Sequence, residues 1–99
     1  MIISIDYDKT YSADPQMFNK VINLFLDTGH VVICVTGRSE EMGREVLNSI
    51  GIKIPVIFAG KRWKRDAAKE AGYDVDIWID DNPESVGRQI IIGGGWSLD

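Results

Sequence analysis

Ile2-Ile3-Ser4-Ile5-Asp6-Tyr7-Asp8-Lys9-Thr10, residues 2–10, decides the fold. Ile2 to Ile5 form a short β-branched run that stops abruptly at a segment too polar to continue a buried strand. The same transition recurs along the chain. His30 to Val35 is an all-apolar strand ending at Thr36-Gly37-Arg38, Ile54 to Phe58 a third ending at Ala59-Gly60, and Val75 to Ile79 a fourth ending at Asp80-Asp81-Asn82-Pro83. Gln89 to Ile92 is expected to form a fifth strand, and Gly93 to open a loose tail over residues 93–99.

Helical patterns fill the intervals. Asp14-Pro15 starts a helix, because Asp caps free amides and Pro fits the first turn, and Phe18, Val21, Ile22, Phe25 and Leu26 then recur at helical spacing until Gly29. Ser39 is expected to cap a second helix, with Glu40 and Glu41 in its positive first turn, Met42, Val46, Leu47 and Ile50 facing inward, and Gly51 ending it. Lys61 to Ala71 reads as a third helix closed by Gly72. This alternation with short connections predicts an α/β fold: a three-layer Rossmann-like sandwich with a parallel sheet of about five strands and helices on both faces.

Ninety-nine residues with 44% hydrophobic content suit one domain over residues 1–99 with a single core. A net charge of −4 with 26% charged residues describes a soluble protein rather than a disordered chain or a generic nucleic-acid coat. The first residues carry no basic n-region, and their apolar stretch is too short for a signal peptide or a membrane span, so a cytoplasmic location without a membrane partner is expected. Cys34, the one cysteine, lies inside an apolar run and reads as a small buried hydrophobe in a reducing compartment.

In a parallel α/β sheet the ligand site lies outside the carboxyl ends of the strands, which is where Asp6/Asp8, Thr36, the Lys61 to Lys64 stretch and Asp80/Asp81 fall. Two acidic pairs meeting in one cleft repel strongly unless a divalent cation lies between them. All-oxygen ligation, with no Cys or His at ligand spacing, suits Mg2+ rather than zinc. Such a cation shields a phosphate from Asp6, so that the Asp6 carboxylate can attack phosphorus and form an aspartyl-phosphate. The Thr36 hydroxyl, the backbone amides after Asp6 and Thr36 (those of Tyr7 and Gly37) and a lysine ammonium are candidate donors to the phosphoryl oxygens. Asp8 is placed to protonate the leaving oxygen and later to activate water.

These residues resemble the haloacid dehalogenase (HAD) superfamily. Asp6-Tyr7-Asp8-Lys9-Thr10 is similar to its DxDxT signature, Val35-Thr36-Gly37 to its second motif and Ile79-Asp80-Asp81 to its acidic fourth motif, in order over residues 2 to roughly 92. The resemblance implies Asp6 as nucleophile, Asp8 as acid/base with its backbone carbonyl on the metal, and Thr36 on the phosphate. It leaves the third-motif lysine open between Lys61, 19 residues before Asp80, and Lys64, 16 residues before it. It favours Asp81 over Asp80 as the direct metal ligand. Lys9 departs from the pattern, standing where Gly is frequent.

The intervals between motifs are each filled by one helix and one strand and leave no room for a cap domain. An open site excludes water poorly, and capless relatives act on macromolecules or oligomerise. The expected partner is therefore a phosphorylated substrate, small molecule or macromolecule, with nucleotides, nucleic-acid ends and phosphoproteins all open. The alternative is a non-catalytic phosphate-binding module, receiver-like or a degenerate HAD interaction domain. Lys61-Arg62-Trp63-Lys64-Arg65 is a basic run with an embedded aromatic, more often a solvated helix face than a nucleic-acid groove. Arg38 is a candidate for orienting an anionic substrate. His30 is expected at the opposite end of the sheet, and Trp78 in the core.

Overall fold

The computed structural model of the chain describes residues 1–87. Within them four parallel strands, β1 (Ile2–Ile5), β2 (Val31–Thr36), β3 (Val56–Phe58) and β4 (Ile77–Ile79), form one sheet in the order β3-β2-β1-β4. Ile3 pairs with Val32 and with Ile77 on its two sides, so β1 is central and its carboxyl end lies between those of β2 and β4. The α/β class and the parallel sheet agree with the expectation. The strand proposed over Gln89–Ile92 and the tail from Gly93 lie outside the described residues.

Three α-helices accompany the strands among the described residues: α1 (Pro15–Asp27), α2 (Arg44–Asn48) and α3 (Lys64–Glu70). Asp14 caps α1 as its chemistry dictates, its Oδ1 accepting from the Met17 amide at 3.1 Å. Every residue of β2 from Val32 to Thr36 is buried, and successive side chains join two apolar clusters. Val32 and Cys34 pack with Ile3, Ile5, Ile22 and Val46; Ile33 and Val35 pack with Ala67 and Ala68 of α3. This two-sided burial is why β2 reads as an unbroken apolar run.

Local chemistry shortens several elements. Pro55 accepts from the Cys34 amide but has no N–H to give back, so β3 begins at Val56 and not at Ile54. Asp76 Oδ2 takes the Ile2 amide at 2.8 Å, so regular pairing of β4 begins at Ile77 and not at Val75. The second helix is three short pieces, with 3-10 turns at Glu40–Met42 and Ile50–Ile52 flanking α2. The break falls at Gly43, which is buried against Phe58. Ser39 makes no side-chain cap, and Met42 and Leu47 are exposed instead of inward. Lys61 is not helical: Trp63 is extended, and α3 starts at Lys64.

No helix among the described residues is long and apolar enough to cross a membrane. His30 lies just before β2, its Nδ1 3.0 Å from the amino terminus, away from the carboxyl ends of the strands.

Candidate active site at the strand ends

Chain order reverses at β1, with β2 on one side and β4 on the other, so a crevice opens between the carboxyl ends of β1 and β4. Asp6 follows β1 and Asp80 follows β4, and the Asp6 amide extends the ladder by donating to the Ile79 carbonyl at 2.9 Å. Carboxylate oxygens of Asp6, Asp80 and Asp81 lie within 4.8 Å of one another. The Lys64 ammonium, on the first residue of α3, donates to Asp6 Oδ1 at 2.8 Å and Asp80 Oδ2 at 2.6 Å. These contacts join four side chains from three elements.

The loop after β1 is shaped to hold this arrangement. Tyr7 carbonyl accepts from the amides of Thr10 and Ser12, and Lys9 takes a φ of 61°, a left-handed conformation that glycine adopts most easily. The turn thereby brings Thr10 back over the site. Its Oγ1 lies 3.3 Å from both Asp6 Oδ2 and Asp81 Oδ1 and accepts from the Asp81 amide at 3.2 Å. A hydroxyl has a single proton to share between those two carboxylates. Asp80 Oδ1 accepts from the Asn82 amide at 2.9 Å, so both its oxygens are engaged.

The electrostatics follow from burial and these contacts. Asp6 is 5% exposed, and burial pushes its carboxyl up to about 6 against the lowering effect of Lys64, with Asp81 and Asp80 adding to the rise. Asp81 is held below the ordinary value, first by its hydrogen bond with Asp6 and further by Thr10. For Lys64, burial disfavours the ammonium, but the hydrogen bonds to Asp6 and Asp80 outweigh it and its pKa lies above the usual value. Three carboxylates face one ammonium, an excess of acidic oxygens that suits a divalent cation.

Asp8 is set differently. It lines the same cleft of about 240 Å³ as Asp6, Gly37, Lys64, Asp80 and Asp81, but its carboxylate is gripped by Arg38, Nε to Oδ2 at 3.0 Å and Nη2 to Oδ1 at 2.7 Å. That grip holds Asp8 below the ordinary carboxylate value. The Asp8 carboxylate therefore stands at the rim, outside the group formed by the Asp6, Asp80 and Asp81 carboxylates, while the metal contact expected of Asp8 runs through its backbone carbonyl. The Arg38–Asp8 pair is absent from the sequence reading, although the β1–β2 register, which sets Ser4 beside Ile33, carries Asp8 toward Gly37 and Arg38 when extended past the strands.

The remaining candidates divide. Thr36 is fully buried beneath the cleft, its Oγ1 accepting from the Arg38 amide at 3.2 Å, while Gly37 reaches the surface of the cleft. The Tyr7 side chain is buried in the core, stacked on Tyr11, and its hydroxyl donates to Ser49. Lys61 sits in the exposed turn before α3 and joins none of these contacts. In the basic run, Lys64 points into the cleft and Arg62 is held by Glu70 and the Phe58 carbonyl, so the five residues do not present one solvent-facing stripe. Cys34 is buried, which pushes its thiol up to about 12 and leaves it without nucleophilic character. A larger hollow of about 470 Å³ beside Trp63, Pro83, Glu84 and Gly87 carries no comparable group of converging charges.

No protein-family model, no curated protein and no solved structure matches this chain.

Proposed function

We propose that this chain is a magnesium-dependent phosphomonoester hydrolase of the HAD type, acting through an aspartyl-phosphate on Asp6. The observation that carries this reading is the convergence of Asp6, Asp80 and Asp81 within 4.8 Å at the strand-order reversal, with Lys64 bridging Asp6 and Asp80. Oxygen-only donors with two charges in excess of Lys64 fit Mg2+, held by Asp6 and Asp81 with Asp80 supporting Lys64. Asp81 is the better ligand of the pair because it is exposed and keeps an oxygen outside the contact with Thr10, whereas both Asp80 oxygens are engaged. When bound, Mg2+ neutralises charge on the phosphoryl oxygens and on Asp6.

An oxygen of Asp6 attacks phosphorus and the ester P–O bond breaks; the leaving oxygen takes a proton from Asp8, which first leaves Arg38 and takes that proton up from solvent, since the pair holds its carboxylate ionised. Asp8 then accepts a proton from water, whose oxygen attacks phosphorus, returning Asp6 and releasing inorganic phosphate. Lys64 holds Asp6 oriented and stabilises the charge that develops. The fold is a three-layer Rossmann-like sandwich without a cap, located in the cytoplasm, and its open cleft suits a substrate that covers the site itself: a nucleotide, a nucleic-acid end or a phosphoprotein.

Hydrolysis of an aryl phosphate tests the reading. With magnesium the parent should turn over, and chelation or Asp6→Asn should lower the rate on the order of a thousandfold. Equal rates for parent and variant end the proposal. One observation favours a second reading, a non-catalytic phosphate-binding domain: both oxygens of Asp8 are held by Arg38. Phosphate binding without turnover on any phosphate ester would select it.

A further inference from the structure

We infer that Arg38 is the residue that grips the phosphoryl group entering the cleft, and that Asp8 occupies its guanidinium fork only until that group arrives. The inference rests on the phosphatase reading solely for its consequence on Asp8.

Arg38 is held from sides that do not involve Asp8. Its guanidinium carbon lies 5.3 Å from the centre of the Tyr7 ring, Nη1 donates to the Met42 carbonyl at 3.2 Å, Nη2 is 3.6 Å from Glu45, and its amide is fixed by Thr36 Oγ1. Tyr7 is itself locked in the core between Tyr11 and Ser49. The fork is therefore organised before any ligand arrives, and it keeps its place if the carboxylate leaves. Asp8 is the less restrained partner: its side chain is 48% exposed and both its oxygens go to the fork.

Arg38 itself stands behind the cleft wall: Asp8, which fills its fork, and Gly37, its chain neighbour, both line the cleft, so a departing Asp8 carboxylate leaves the fork next to it. Two parallel N–H donors match two oxygens of a phosphate as well as two of a carboxylate. Lys64 already divides its ammonium between Asp6 and Asp80, so an incoming phosphate finds its free bidentate cation at Arg38 once Asp8 gives way. The exchange has a consequence. While the pair is intact Asp8 cannot turn to a leaving oxygen, and occupancy of the fork by the phosphoryl group releases it. Substrate binding then assembles the acid, and an empty site stays idle.

A double-mutant cycle read by 31P NMR titration of inorganic phosphate, with magnesium present, tests this on parent, Asp8→Asn, Arg38→Gln and the double variant, each checked for an intact thermal transition. Removing the competing carboxylate should tighten phosphate about tenfold, Arg38→Gln should weaken it about tenfold, and in the Arg38→Gln background Asp8→Asn should change it less than about twofold. Equal tightening in both backgrounds, the signature of a simple charge effect, overturns the inference, as does no tightening at all. Arg38→Lys keeps the charge without the fork and should bind phosphate nearly as weakly as Arg38→Gln; parental affinity in that variant also overturns it. Aryl phosphate turnover is scored separately: coupling without turnover removes the phosphatase reading and leaves the anion fork, and turnover without coupling removes the fork alone.

Discussion

Lys64 Nζ lies 2.8 Å from Asp6 Oδ1, and the two side chains are only 5% and 6% exposed. The pair joins the start of α3 to the end of β1 across 58 residues, inside the crevice formed where the strand order reverses. A buried ion pair contributes little net stability, but losing one partner leaves a desolvated charge. Asp80 at 2.6 Å makes the ammonium the hub of two such contacts.

Lys64→Met should therefore destabilise the chain by roughly 3–5 kcal/mol in chelator at neutral pH, less whatever Asp6 recovers by taking up a proton. Lys61→Met, at an exposed turn position, should stay within about 0.5 kcal/mol. Urea midpoints of the two variants decide the matter, and matching midpoints would show that Lys64 has no such role.

Asp80 and Asp81 should separate by the same logic. Asp80→Asn loosens the anchor of Lys64 and should cost stability with a smaller effect on metal affinity, because Asp80 Oδ1 and Oδ2 are both engaged within the protein. Asp81→Asn should leave the thermal midpoint near the parent's and weaken magnesium at least about tenfold, the usual order for losing a ligand or its support. Calorimetric titration of each variant with magnesium measures this; a larger affinity loss for Asp80→Asn reverses the assignment.

The strands and α1 were legible because their signals are local: β-branched runs ending in acids, and an Asp-Pro cap followed by apolar residues at helical spacing. The three acids of the site were legible because a parallel sheet gathers strand ends on one edge. What stayed hidden depends on partners distant in sequence. Lys61 and Lys64 differ in whether α3 has begun, and that is set by the extended Trp63 rather than by composition. Asp8 reads as a free carboxylate until the register of β1 on β2 brings Arg38, 30 residues on, to its side. Met42 and Leu47 keep helical spacing in the sequence, yet the helix that would turn them inward is interrupted at Gly43.

Gly43 supplies a direct test of that interruption. A Cβ built there falls 1.9 Å from Phe58 Cε1, so the glycine allows the turn to pass the ring. Gly43→Ala should destabilise by about 1–3 kcal/mol despite alanine's higher helix propensity, since the overpacking outweighs the propensity gain of about 1 kcal/mol. Gly43→Ala paired with Phe58→Leu should recover part of the loss in urea denaturation. A stabilised single variant would mean that the ring moves aside freely.

Asp6 and Asp8, two residues apart, should titrate on opposite sides of the ordinary carboxylate value of 3.8 in metal-free protein. Burial carries Asp6 up to about 6, so from 3.8 to about 6 the folded state holds more protons than the unfolded chain, and this carboxyl lowers stability as pH rises through that window. The hydrogen bond from Arg38 carries Asp8 down, so its contribution is complete above 3.8 and is lost as pH falls through its lower folded value. Carboxyl 13C shifts followed against pH resolve the two groups separately. Arg38→Gln should return the Asp8 midpoint toward 3.8 and leave Asp6 raised, whereas magnesium should lower the Asp6 midpoint by favouring its charged form. Midpoints displaced in the same direction would contradict the separate environments, burial for Asp6 and the Arg38 fork for Asp8, that the structure gives the two carboxylates.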